Sequence, residues 1–353
     1  MGLSNLLFFI LTSLSFGKSQ LPELATKQTI ENIRFLSRDG KYTLYQQNSG
    51  SLYLSTNYKV YELIKGVQNS NYSVIGSMAR ENLLIEQDQS FQQNYSLIKE
   101  NKIFILKKGE NRAIEIGSGR WAKLHLEDKW VSFLKPYEKT ITFKQINSGL
   151  EFKIKLNYQL NPFFIPEVVM INDNEILYTD LNKDGHSGII KYNRNQNKFT
   201  VFLKVPDINR KIELCRNKDQ LFVAEYGLNH SSQKSIIYQI PMNKLDMGNA
   251  SIIYESQLND PGNLICDYSE GSIYFVKNLE KERQRTSYEV VKLQLKDKSY
   301  KILSDVIFAS HFINMDGNLL LPYLGVYYVL EGSSDLKKFD LLKKDNLDSE
   351  VKK

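Results

Sequence analysis

Two glutamates, Glu167 and Glu213, each stand six residues ahead of an aspartate in a polar turn, Asp173 and Asp219. Equal spacing from equal landmarks places both at the same step of successive structural units. Two carboxylates so arranged could hold Ca²⁺ together with Asn or backbone oxygens, because hard cations take oxygen ligands. They could also act as a general base and its tuner. Arg34, Asp260, Asn263 and His311 occupy comparable early positions in other units, adding cationic, amide and imidazole groups to the same locus. The bland alternative is a wet channel wall in which Arg34 balances the glutamates. On that footing Ca²⁺ remains open and no metal or other cofactor is assigned.

Other chemistries find less support. "DLNKDGHSG", Asp180 to Gly188, begins like an oxygen-ligand calcium loop, but its twelfth position is Lys191, where a bidentate Glu is needed, and it reads better as a hairpin turn. His125, His186, His230 and His311 lack zinc-like spacing, and two cysteines are too few for a structural zinc site. There is no Gly-x-Ser-x-Gly elbow, phosphate-cradling Gly-rich loop or Cys with catalytic flanks. Cys215 and Cys266 lie just before the first turns of successive units; a bridge between them and a pair of buried free thiols are both open, the thiols being the simpler expectation.

The elements that position these residues repeat. "IRFLSRDGKYTLYQQNSGSLYLS" followed by "YKVYELI" gives four short strands separated by polar turns, with Asp39 and Gly40 suited to the first turn. The same order recurs along the chain, its first turns falling near Asp39, Glu81, Asp128, Asp173, Asp219, Glu270 and Asp316, at intervals of roughly 42 to 51 residues. Four strands per period of this length mark propeller blades, each too thin to bury both faces alone. The expected fold is all-β, a seven-bladed β-propeller of four-stranded antiparallel blades. Either the C-terminal "LKKFDLL" or the N-terminal "LPELATKQTI" supplies its last outer strand.

The chain has 353 residues, 12% of them aromatic, and a net charge of +6 scattered without a basic stripe, so nucleic acid is not an expected partner. Residues 1–19 carry an apolar run, Leu6 to Phe16, of secretory-signal length, with small residues permitting cleavage before Lys18. The expected organisation is a signal over 1–19, one propeller over 20–342 and a polar tail over 343–353. After cleavage no segment is long and apolar enough to span a membrane, and a monomer is expected.

"IRFLSRDGKYTLYQQNSGSLYLS" resembles the TolB-type WD-like repeat, in which a Ser-x-Asp-Gly-Lys turn leads into an apolar strand and then a Leu-Tyr strand. The match covers Ile33 to Ser55, and "FINMDGNLLLPYLGVYYVL" is a looser echo. The resemblance implies a periplasmic or secreted propeller that works as a binding platform. Its loop-bearing face would include Phe91, Tyr95 and Leu97 as an apolar anchor, and Lys281, Arg283 and Arg285 as charge for an acidic partner. The expected function is non-catalytic binding of a protein or cell-envelope component. The alternative is a channel-sited, Ca²⁺-dependent hydrolase or lactonase using Glu167 and Glu213.

Overall fold

The computed structural model describes residues 33–39, 42–47, 50–56, 60–66, 70–75, 82–88, 101–157, 165–181, 187–205, 210–227, 234–257, 262–266, 271–281, 285–306, 313–315, 318–323, 326–329 and 337–338. All the sheets are antiparallel, and strand order within each follows the sequence. The first comprises β1 (Ile33–Asp39), β2 (Tyr42–Gln47), β3 (Leu52–Thr56) and β4 (Val60–Ile64). The next runs through β5 (Asn71–Ile75), β6 (Asn82–Asp88), β7 (Asn101–Lys107), β8 (Ile114–His125), β9 (Trp130–Lys135), β10 (Thr140–Gln145) and β11 (Glu151–Lys155). Then follow β12 (Val168–Met170), β13 (Glu175–Leu181), β14 (Ser187–Asn193) and β15 (Lys198–Lys204), and after them β16 (Arg210–Arg216), β17 (Gln220–Gly227), β18 (Ser235–Pro241) and β19 (Ser251–Ser256). Two further sheets hold β20 (Gly262–Cys266), β21 (Ser272–Lys281), β22 (Arg285–Gln294) and β23 (Tyr300–Val306), and β24 (Ile313–Met315), β25 (Asn318–Tyr323), β26 (Val326–Val329) and β27 (Lys337–Lys338). No helix among the described residues is long and apolar enough to cross a membrane.

The seven-stranded sheet differs from the strand pattern read in the sequence. A period of four strands per unit makes "RAIEIGS" the last strand of one unit and "RWAKLHL" the first of the next, yet they form one twelve-residue strand, β8. Its first half pairs with β7 and its second half with β9, so one strand is the outer member of one meander and the inner member of the next. At the other end of the chain β27 pairs with β26, so the C-terminal segment supplies that outer strand.

Contacts between sheets give the architecture. β1 touches β5, β5 touches β8, β8 touches β12, β12 touches β16, and β16 touches β20. First strands ranked side by side, with later strands radiating outward, define a β-propeller. Among the described residues, each of the five joints from the first meander to the sixth holds its own apolar cluster. Second strands lie between two such clusters, which explains the unbroken burial of Asn82–Gln87 in β6 and Leu221–Tyr226 in β17.

A bulge recurs at one place in five outer strands. The register against the third strand skips Leu63 in β4, Ile116 in β8, Phe202 in β15, Ile253 in β19 and Leu303 in β23. The skipped residue is always a large apolar one. Leu63, Ile116, Phe202 and Ile253 each join the cluster shared with the following meander. A bulge sharpens local twist and re-aims a side chain, which lets an outer strand reach the next sheet. β11 has no bulge and instead alternates exposed Glu151, Lys153 and Lys155 with inward Phe152 and Ile154.

Candidate functional site at the inner strands

Along β16, Ile212 and Leu214 enter the cluster shared with the preceding sheet, while Cys215 packs into the cluster shared with the following one. Glu213 bonds on that following side. Its carboxylate accepts the backbone N–H of Leu264 in β20 at 2.7 Å and the Lys211 ammonium at 2.5 Å. Its side chain is only 8% exposed, and a buried carboxylate persists only where charge and hydrogen bonds compensate. Gly262 completes the cradle. It has φ of +94°, and a Cβ there would stand 2.8 Å from Glu213 Oε1. Two residues beyond Glu213, Cys215 forms a disulfide with Cys266 across a Cα separation of 5.7 Å. The simpler expectation of two free thiols is therefore corrected: near the axis the two first strands run close enough for bridge geometry.

Glu167 lies just ahead of β12. Its backbone N–H donates to Thr179 Oγ1 at 2.8 Å, its carbonyl accepts from Thr179 N at 2.9 Å, and its carboxylate pairs with the Lys123 ammonium of β8. Glu167 and Glu213 thus each take a different lysine. Each ammonium is the more exposed member of its pair.

The sequence reading missed two further participants, Glu86 and Lys123, and took Asp180 only as the start of a calcium-like loop. Glu86 on β6 accepts the Ala122 N–H of β8 and the Asn101 side-chain amide. Burial pushes its carboxyl up, opposed by those two bonds and by Arg120. Asp180 accepts Asn157 N at 2.9 Å and Leu181 N at 2.8 Å, fastening the crossover between β11 and β12. A carboxylate interrupting an apolar run, as in "NLLIEQ", was the available signal. Glu225 pairs with Arg210 at 3.4 Å, and burial pushes its carboxyl up against that guanidinium. Arg216 Nη1 donates to the carbonyls of Met170 and Ile171, each at 2.8 Å. These bonds mostly run between meanders, where strand ladders cannot reach.

His125 sits at the end of β8, 2.7 Å from Ser132 Oγ and tilted against Phe143. Burial first, then Lys123 and Arg216, lower its pKa to about 3, so the imidazole is neutral in the folded chain. Among the described residues no group of three His, Cys, Asp or Glu is placed to hold a metal ion. Arg34 and Asn263 fall in the first strands β1 and β20 as expected, and Arg285 opens β22, but their side chains lie outside the described residues. His311, Asp260, Phe91, Tyr95, Leu97 and Arg283 lie outside them entirely.

Neither a protein-family model nor a curated protein sequence matches the chain. Solved structures do. An uncharacterised protein, lmo1340, of Listeria monocytogenes EGD-e is 11% identical, with 87% of this chain and 94% of that one covered and a TM-score of 0.54. Dipeptidyl peptidase 4 of Porphyromonas gingivalis is 10% identical at a TM-score of 0.50; 96% of this chain is covered, and it spans 64% of the peptidase chain. Such likenesses show the fold, an all-β propeller, and nothing of activity. TolB of Acinetobacter baumannii is also among the similar chains, at 9% identity, 76% and 62% coverage and a TM-score of 0.43.

Proposed function

We propose that the chain is an exported, non-catalytic, seven-bladed propeller that binds a protein or cell-envelope component across its loop-bearing face. Counting the seven-stranded sheet as two blades that share β8 supports the blade number. The observation that carries the scaffold reading is the fate of the carboxylates on or just ahead of the first and second strands. Glu86, Glu167 and Glu213 are bonded to the backbone or lysines of their own and neighbouring strands, which uses them as ties rather than as a vacant acid pair. The Cys215–Cys266 bridge supports export through residues 1–19, since such bonds persist in oxidising compartments. On this reading residues 20–342 form one domain and the mature chain is periplasmic or secreted.

Crosslinking the tagged chain in its native host, followed by capture, tests the reading. A triple variant with Phe91, Tyr95 and Arg283 changed to Ala is expected to lose a partner that the unchanged chain recovers. Recovery of the same partners by both excludes that face.

A further inference from the structure

The outermost hairpin of the fourth meander, Ser187 to Val205, contains Lys191, Arg194, Lys198 and Lys204 and no Asp or Glu. The corresponding stretches of the third, fifth and sixth meanders all carry acids: Glu151, then Asp246 and Glu255, then Glu289, Asp297 and Asp305. Lys191 is answered by Glu175 of β13 at 2.7 Å. Among the described residues, Arg194, Lys198 and Lys204 form no ion pair. Arg194 is held over Phe152, 4.9 Å from the ring centroid, and over Trp130 at 5.9 Å.

β15 also exposes apolar surface beside these cations. Val201 is 67% and Phe199 51% exposed, and Phe199 is stacked on Tyr192 at 4.6 Å. These two face the same side of the sheet and extend the aromatic cluster of Trp130, Phe143 and Phe152 outward to the rim. Among the described residues β15 is the last strand of its sheet and pairs with β14 alone, so its outer edge offers backbone donors and acceptors.

We propose that the edge of β15 is a docking site for an extended segment of another protein whose apolar core is flanked by carboxylates. Such a segment adds as a further strand, its backbone giving affinity and its side chains specificity. A second copy of this chain fits poorly. Antiparallel self-pairing about Val201 would set Lys198 opposite Lys204 at both ends, and like charges directly opposite one another destabilise a sheet. The lysines that forbid self-pairing therefore select an acidic partner. This surface lies on the outer rim and is separate from the loop-bearing face proposed above.

Two synthetic peptides test it, sharing a core of alternating Val and Thr, one flanked by paired Glu and the other by paired Lys. Binding to the full chain is read by fluorescence anisotropy. The Glu-flanked peptide is expected to bind at least about ten-fold more tightly than the Lys-flanked one. Val201→Lys is expected to abolish that binding without changing the melting temperature, since Val201 is exposed. Lys198→Glu with Lys204→Glu is expected to reverse the preference. Equal binding of both peptides, binding of neither, or an unchanged preference in the double Glu variant overturns the proposal. So does a concentration-dependent dimer of the unchanged chain that Val201→Lys dissolves, which would make a second copy the occupant. Loss of loop-face partners in the triple alanine variant leaves these peptide results unaffected, so the two surfaces fail separately.

Discussion

Where the third meander meets the fourth, the joint is aromatic. Trp130 is buried against Phe152, Phe143 stacks on Phe152, and the Trp130 indole N–H donates to Asp173 Oδ1 at 2.7 Å. Where the fifth meets the sixth, an apolar cluster is supplemented by a disulfide and by a buried carboxylate on a backbone amide. Both joints are packed with apolar side chains, and the fifth-to-sixth joint adds a covalent tie and a buried charged tie near the axis. Covalent and ionic ties of that kind reduce the dependence on packing area, but make the joint sensitive to reduction and to single substitutions.

Several variants would break or sharpen this contrast. Cys266→Ser opens a connection that closes 51 residues, and the chain-entropy account gives a loss of about 4 kcal/mol. Denaturant unfolding measures the loss. Hydrogen exchange should show it first in β16 and β20, with β9 and β10 still protected; equal loss at both joints would erase the contrast. Gly262→Ala must adopt φ of +94° and crowd the Glu213 carboxylate, so it should destabilise by about 2–3 kcal/mol. Trp130→Phe removes the bond to Asp173 and part of the ring area, a loss of about 1–2 kcal/mol, because the surrounding aromatics remain.

A further expectation is a pH dependence. The His125 pKa is lowered from 6.5 to about 3 in the folded chain, so between those values the unfolded chain binds a proton that the folded chain refuses. Stability should therefore fall as pH drops through that window, and His125→Gln should flatten the slope in urea melts. Glu86 and Glu225, both pushed up by burial, act in the opposite sense: their contribution is present below 4.5 and is lost as pH rises through their folded values.

Much of the fold was legible because strand length and turn spacing are local properties. "SRDGKY" marks a turn, and the structure pairs Asp39 with Tyr42 there. β8 was misread as two strands because its polar middle, "GSGRW", imitates a turn while the chain merely changes partners. The recurring bulges were not legible, since Phe202 and Ile253 differ from their neighbours only in what they face across the joint. For the site, equal spacing put Glu167 and Glu213 ahead of successive turns, but Glu167 bonds toward the preceding β8 and Glu213 toward the following β20. Their lysine partners lie on β8 in one case and on the same strand in the other, a difference that spacing cannot encode.

The most direct test of whether the inner carboxylates tie sheets together or serve chemistry is a thermal melt of the full chain and of Glu213→Gln, with and without millimolar Ca²⁺. A structural tie gives a variant that melts several degrees lower, with both melting temperatures indifferent to Ca²⁺. A melting temperature that rises with Ca²⁺ in the unchanged chain, and no longer rises in Glu213→Gln, would contradict that role and return the carboxylates to metal-assisted chemistry.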